Sequence, residues 1–552
     1  MAINLQFKPK SIQMKKTIQT TILLIAVMAA FCACNRNRQM WKPAQVSIGV
    51  EPNDDAPVNA GNAASINFGQ DKTLTVAHGQ SIAYLKFFIP GFSRIDSAVL
   101  RIQTKEVVSP GPLSVYPVLF HEWDESTITW DQRPEIASTP LFTLAIDDPY
   151  KLYEIDLTDY VAQKSAKGDY YISLCFTAEQ QDTELSFASV EDYDNLKPRF
   201  MVSGLTLQQT VPPACAPPSF THPGILITKE QIDFVREKIS LDASPWREAF
   251  AAARSSENAQ SNYRPTPMDT LTFSGYYGYS KSRGYIELAR DARAAFSNAQ
   301  LWVLTDSSRF AEKAIEILNA WSETNKALTG GNAKLSGATA CIQFCNAAEL
   351  LKYSNSGWQP AEQENFAHWL RSVLWPLLRD FVPAYNGNWD ALIGQGLISM
   401  GIYLDDALIF DHAVHYYLHG VGNGRMSYYV RPDGTTQETL RDQGHEQMGI
   451  GALAGFAETA WNQGLDLYSA ESNRLLQGIE GTAKRVVETN CLRLPIWESM
   501  FNHYHQRLDL DMPCTEKVLN ASGYRPEGYG EYRGFSTLFF YGLAKNPEIG
   551  RK

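Results

Sequence analysis

The chain has 552 residues, too many for one ordinary core, and the usual size of domains suggests roughly two to four units. Its 44% apolar and 20% charged residues are those of a soluble globular protein and exclude global disorder. A formal net charge of -11 argues against a nucleic-acid partner, so an anionic substrate would need a local basic cleft on an acidic body.

In chain order, the first element is a targeting segment, residues 1–34. Lys15 and Lys16 precede an apolar run from Ile22 to Phe31 that is too short to span a bilayer as a mature helix and ends in Phe31-Cys-Ala-Cys-Asn35. This resembles a bacterial lipoprotein signal. Cys34 follows the small Ala33 and is the expected lipidation site, whereas Cys32 follows the bulky Phe31. The resemblance implies an exported protein, lipid-anchored to the bacterial outer membrane or cell surface. An ordinary secretory peptide cut nearby would also export it. Cys175, Cys215, Cys341, Cys345, Cys491 and Cys514 remain, at spacings that match no zinc pattern. No metal or other cofactor is expected, and the sequence leaves the oligomeric state unknown.

Residues 45–205 read as an all-β sandwich. Short alternating or β-branched runs recur at 83–89, 98–103, 113–119 and 169–176, punctuated by Gly, Pro, Asp and Ser. Trp123-Asp-Glu-Ser-Thr-Ile-Thr-Trp130, Tyr84-Leu-Lys-Phe87 and Lys197-Pro-Arg-Phe200 resemble the DNRLRE-type domain, related to carbohydrate-binding module family 96. That resemblance implies attachment to carbohydrate. Trp123 and Trp130 read as structural plugs in preference to sugar platforms. A Pro-rich linker, residues 206–224, follows as an extended spacer.

From residue 225 to 552 the periodicity is helical. Helices are expected over 289–305, 308–322, 337–354, 360–381, 390–404, 407–419, 436–464 and 472–488. Long helices in hairpin-like pairs with short connections suggest an all-α, α/α toroid or incomplete barrel, with a cleft lined by helix starts and loops.

The most informative stretch is Pro432-Asp-Gly-Thr-Thr-Gln-Glu-Thr-Leu-Arg-Asp-Gln-Gly-His-Glu-Gln-Met-Gly449. Its spacing puts Glu438, Arg441 and His445 on one face of the expected helix, where a core helix would carry Leu or Val. Asn386-Gly-Asn-Trp-Asp-Ala391 stands before another helix, with Asn388 either its N-cap or part of a sugar subsite beside Trp389.

These segments occur in one order with Phe410-Asp-His-Ala-Val414, Ala460-Trp-Asn-Gln-Gly-Leu-Asp-Leu-Tyr468, Asn473-Arg-Leu-Leu476, Asn502-His-Tyr504 and Arg525-Pro-Glu527. The ordered set resembles the alginate lyase superfamily of polysaccharide lyases, closest to polysaccharide lyase family 38 and more distantly family 5. The resemblance implies a polysaccharide lyase that cleaves a uronate-containing polysaccharide, alginate or polymannuronate or glucuronan, by β-elimination. Such chemistry requires a neutralised carboxylate, a base for the C5 proton and an acid for the departing O4.

Carried over by this resemblance, Asn388 neutralises the carboxylate with Arg441, and His445 shares that role or acts as base. Tyr504 is the preferred acid/base residue, with Tyr428, Tyr429 and Tyr277 behind it. Family 5 uses an Asn-His pair and a Tyr. This chain departs from that pattern, because Trp389 follows Asn388 and no Tyr follows Arg441 at matching spacing. Trp389, Glu438, Tyr277, Arg290, Tyr429 and Gln443 are the expected substrate-binding residues, Glu438 more simply as the salt-bridge anchor of Arg441. Three alternatives stay open: a glycoside hydrolase using Asp390, Asp433 or Glu438, a non-catalytic glycan-binding lipoprotein, and a glycosaminoglycan lyase.

Overall fold

The computed structural model describes residues 45–52, 54–89, 92–190, 192, 197–206, 214–260, 262–273, 283–382, 385–420, 422–439, 441–490, 494–521, 529–530 and 534–543. The signal segment with Cys34, the loop with Tyr277, Cys491 and the Arg525-Pro-Glu527 motif lie outside the described residues.

The N-terminal part is an antiparallel β-sandwich. Its strands are β1 (Gln45–Val50), β2 (Asp54–Asn59), β3 (Thr73–Ala77), β4 (Ser81–Phe88), β5 (Phe92–Ser109), β6 (Gly111–Pro117), β7 (Phe142–Ile146), β8 (Leu152–Asp156), β9 (Tyr171–Ala178), β10 (Glu184–Ala188) and β11 (Arg199–Thr206). One layer runs β1-β11-β5-β8 and the other β10-β3-β4-β9-β6-β7, with β2 on β4. The 18-residue β5 serves both layers: its start pairs with β11 and β8, and its end pairs with β10.

Alternation of apolar and polar residues turns Phe87, Phe176, Phe187 and Phe200 inward, all fully buried. Phe87 meets Phe200 edge-on across the layers at 4.8 Å, and each ring contributes about 1.5–3 kcal/mol relative to exposure. Trp123 is a plug: it is buried, packs edge-on against Tyr84 at 5.8 Å and lies under Lys86, which pairs with Asp54 at 2.8 Å.

The helical part alternates inner and outer helices. The first helix, α1 (Thr158–Ala166), belongs to the sandwich; those of ten residues or more among the described residues are α2 (Lys229–Ser240), α3 (Trp246–Ser255), α4 (Tyr285–Thr305), α5 (Ser308–Thr324), α6 (Ala333–Lys352), α7 (Pro360–Trp369), α8 (Gly387–Tyr403), α9 (Ala407–His419), α10 (Gln443–Asn462) and α11 (Ala470–Thr489). Helices α4, α6, α8 and α10 pack in that order as an inner row, while α5, α9 and α11 lie outside α4, α8 and α10. Every residue of α8 is buried, which suits its largely apolar and small-residue sequence and makes Asn388, Asp390 and Gln395 its buried polar exceptions. Gly396 lets α8 approach α6 closely, since a Cβ there would stand 3.2 Å from the Ala338 carbonyl oxygen.

The inner helices run the same way. At their ends, Trp302 donates to Ser354 (2.7 Å) and Lys352 to the Tyr403 carbonyl (3.3 Å); near their starts, Asn388 meets Met448 at 3.5 Å. The N-termini of the row therefore share one end of the toroid, where their dipoles favour an anion.

Two expectations change. The helix expected over 360–381 breaks after Trp369 into a π-turn (Leu370–Leu374) and a short helix (Trp375–Leu378), because Pro376 offers no N–H and crowds the preceding turn. The second change concerns the Pro-rich segment, which is not a free spacer from residue 214 onward. The amides of Cys215 and Ala216 donate to Asp411 at 2.9 and 2.7 Å, and His222 is held between Glu349 (2.7 Å) and Asp405 (3.0 Å). Burial opposes charge on His222, but the two carboxylates outweigh it and raise its pKa above the ordinary value. Burial likewise raises that of Glu349.

Candidate active site

The helix expected over 436–464 begins only at Gln443. Asp442 has extended backbone (φ -167°, ψ 155°), and its Oδ1 accepts the His445 amide at 2.9 Å as an N-cap, which ends the helix there. Glu438 and Arg441 therefore lie in the turn before α10, not on a helical stripe. Tertiary contacts still bring the three together. The fully buried Glu438 accepts from Arg441 at 3.3 Å and, on the same oxygen, from Asn386 at 3.1 Å. Gln437 accepts the Gly387 amide at 2.7 Å, which fixes the turn to the start of α8.

Asn386 occupies the cap position of α8, so Asn388 lies inside the first turn and is not the N-cap. Asn388 is fully buried. Its Nδ2 meets only the Met448 thioether among the described residues, and its Oδ1 has no partner there. Met448 stands three residues after His445, hence on the same face of α10. Asn388, Arg441 and His445 thus all lie at the end of the toroid where α8 and α10 begin. Arg441 keeps its side chain 36% exposed and His445 35% exposed.

His445 Nδ1 bonds Asp442 Oδ2 at 2.5 Å. With Nδ1–H donating to the carboxylate, Nε2 carries the free lone pair and can accept a proton. Burial opposes ionisation of Asp442, yet the bonds from the His445 ring and amide hold its pKa down at about 2. Asp442 escaped notice in the sequence because its role is double; the Asp-x-x-His spacing of an N-cap was the available signal. Met448 and Asn386 carry no such signal.

Tyr504 is corrected. It is fully buried in a π-helical segment (Asn502–Arg507), its hydroxyl donates to the Tyr468 carbonyl at 2.9 Å, and burial raises its pKa well above the ordinary value. Its surroundings place it far from Arg441. Tyr468 donates to Glu458 at 2.8 Å, and Glu458 pairs with Arg507 at 3.3 Å. Glu458 lies thirteen residues beyond His445 on α10, about 20 Å along the axis at 1.5 Å per residue. His503 stacks on Tyr468 within this network, and burial pushes its pKa down to about 2.

Two binding expectations also change. Tyr429 is fully buried, with its hydroxyl near the carbonyls of His445 (3.3 Å) and Glu446 (3.2 Å), so it buttresses α10 rather than stacking on sugar. Gly449 is required opposite it, because a Cβ there would fall 2.0 Å from that hydroxyl oxygen. Trp389 is 7% exposed and packs edge-on against Tyr385 at 4.9 Å, leaving no open face for a sugar.

Glu438 faces Arg441 and Asn386, as an anchor. Gln443 opens α10, half-buried, with its Oε1 unpartnered among the described residues. Arg290 on α4 is engaged with Thr266 at 3.1 Å and over the Tyr263 ring. Of the carboxylates considered for hydrolysis, Asp390 accepts from Val382 N (2.6 Å) and the Tyr416 hydroxyl, and burial pushes its pKa up to about 6. Asp433 bonds Thr435 within its own turn at 2.9 and 2.7 Å. Each is already committed to a structural partner.

Residues 46–204 match the family model of carbohydrate-binding module family 96, and residues 235–490 match that of alginate lyase. The protein is a polysaccharide lyase with an alginate lyase domain. Among solved structures, this lyase is similar to alginate lyase A1-III from Sphingomonas species A1, with 14% identity, 58% of this chain and 97% of that chain covered, and a TM-score of 0.43. It is also similar to an alginate lyase from Bacteroides ovatus, with 13% identity, 60% and 99% covered, and a TM-score of 0.39. No curated protein sequence matches the lyase.

Proposed function

We propose that this lyase cleaves a uronate-containing polysaccharide, polymannuronate in alginate or glucuronan, by β-elimination at the Asn388–Arg441–His445 cluster. The observation that carries the reading is the Asn388 amide. A fully buried polar side chain whose one partner among the described residues is a thioether contributes little to the fold and is costly to bury. It is suited to a ligand carboxylate that displaces the flexible Met448 side chain.

In this scheme the Asn388 amide and the Arg441 fork bind the uronate carboxylate, so that charge developing on it when C5 loses its proton meets fixed donors. His445 Nε2 takes the C5 proton, the C5–H electrons form the C4=C5 double bond, and the C4–O4 bond breaks. In mannuronate and glucuronate the C5 proton and O4 lie on one side, so the same imidazole returns the proton to O4. Asp442 holds the imidazole in the required tautomer. The family 96 sandwich attaches the enzyme to its substrate, and lipidation at Cys34 would tether it to the outer membrane or cell surface.

The test is incubation with polymannuronate, glucuronan and glycosaminoglycans while the ultraviolet absorbance of the unsaturated end is followed. Absorbance with either of the first two supports the reading. New reducing ends without absorbance indicate hydrolysis and refute it, and cleavage of glycosaminoglycan alone transfers the chemistry to another substrate.

A further inference from the structure

The sandwich and the toroid meet beside the hairpin that leads to Arg441, and aromatic rings are left open at that junction. Tyr171 of β9 is 42% exposed, and Tyr428, in the short helix Met426–Tyr429, is 45% exposed. Both flank Phe88, which is buried: its ring lies 4.8 Å from Tyr171 and 6.1 Å from Tyr428, the latter edge-on. Rings that served only to glue two domains together would be covered by the contact. Here the joint covers Phe88 and leaves one tyrosine of each domain facing solvent.

Charge gathers at the same place. Arg431 reaches across the boundary to Asp124 at 3.6 Å while its side chain stays 39% exposed, and the Arg425 guanidinium lies 4.7 Å from the Tyr428 ring. The Tyr171 phenol, which burial makes harder to ionise, also feels Arg431 and Tyr428 from the other domain. A partly exposed Arg431 and open tyrosine rings, with Arg425 over the Tyr428 ring and paired to Glu471 at 3.9 Å, on a body of net charge -11, match the two sides of a uronate: apolar C–H faces and a carboxylate edge.

We infer that this junction, formed by Tyr171 from the sandwich and by Tyr428 and Arg431 from the toroid, is a distal subsite for the anionic polysaccharide chain being cleaved. The inference rests on the uronate reading of the catalytic cluster. The junction is tied firmly to that cluster. Tyr429 beside Tyr428 receives the Gln437 amide at 2.8 Å, Arg431 donates to the Thr435 carbonyl at 2.8 Å, and Arg485 clamps the Gly434 carbonyl at 3.2 Å while pairing with Glu446. A chain held at the junction is thereby presented to His445 and Arg441 without a hinge between them, which raises its effective concentration there.

The experiment compares kcat/KM on the polymer the wild type cleaves, polymannuronate or glucuronan, with kcat/KM on its trisaccharide. In Tyr171→Ala the polymer-to-trisaccharide ratio falls about tenfold, the loss of one modest contact, whereas Tyr171→Phe, which keeps the ring, retains the wild-type ratio. Arg431→Gln, on the other side of the boundary, lowers the ratio as well and flattens its dependence on salt, which also serves should the strand not accept alanine. A ratio equal to wild type in both Tyr171→Ala and Arg431→Gln, or equal losses on both substrates, overturns the distal subsite while leaving the catalytic reading intact. A wild-type enzyme that cleaves neither polymer overturns both.

Discussion

Replacing Asp442 separates two functions that one carboxylate performs. Oδ1 caps α10 through the His445 amide at 2.9 Å, and Oδ2 holds the His445 ring at 2.5 Å. Asparagine caps nearly as well as aspartate, so Asp442→Asn keeps the cap and loses the charge, whereas Asp442→Ala loses both and costs a further ~1 kcal/mol of stability. The depression of the Asp442 pKa from 3.8 to about 2 corresponds to roughly 2.4 kcal/mol at 1.36 kcal/mol per unit, but the side chain is 45% exposed and solvent screening reduces this to about 1 kcal/mol. Because the folded pKa is the lower one, that contribution is present above about pH 4 and is lost as pH falls toward 2.

Catalysis should suffer far more than stability. An asparagine amide favours the wrong imidazole tautomer, and a loss of this kind lowers kcat by about 10²–10⁴. The assay is initial rate of double-bond formation on the preferred polymer, with urea unfolding of each variant alongside. Asp442→Asn turning over at more than half the wild-type rate, with its unfolding midpoint unchanged, would refute His445 as the proton-transfer residue.

Asn388→Ala should lower kcat/KM by about 10²–10³, as expected for one donor to a developing oxyanion, yet leave the unfolding midpoint unchanged or raised, because its present partner is a thioether. A normal rate would remove Asn388 from the mechanism. Tyr504→Phe should retain activity and lose about 1 kcal/mol of stability with the bond to Tyr468 O; an inactive but folded variant would restore the tyrosine to catalysis. For His222 and Glu349, both folded pKa values are raised, so the folded state binds more protons and stability should decline as pH rises above their ordinary values of 6.5 and 4.5. Urea titrations show whether His222→Gln flattens this slope; a wild-type slope in that variant would assign the effect elsewhere.

Much of the fold was legible because the hydrophobic period changes cleanly along the chain. Helix α9 spans the expected 407–419, and α8 starts three residues before its expected boundary. Glu438 and Arg441 stand out in the sequence as polar residues where a core helix would be apolar, and they pair in the structure, while Asn388 lies nearby in the first turn of α8. Tyr504 drew attention for its His-rich neighbours, but sequence could not show that Glu458 and Arg507 draw those neighbours into a buried network at the other end of α10.

By itself, then, the sequence determined what local pattern controls: a β part, a helical part, and the residue types for handling a carboxylate. Tertiary structure decided which of those residues share a site. Asp442 stops α10 short of Arg441, so the placing of Arg441's turn at the start of α8 depends on Glu438 and Gln437 reaching Asn386 and Gly387, contacts some fifty residues apart in the chain. The same packing settles access. Burial closes Trp389, Tyr429 and Tyr504 to a sugar, while leaving part of Arg441 and His445 open to one.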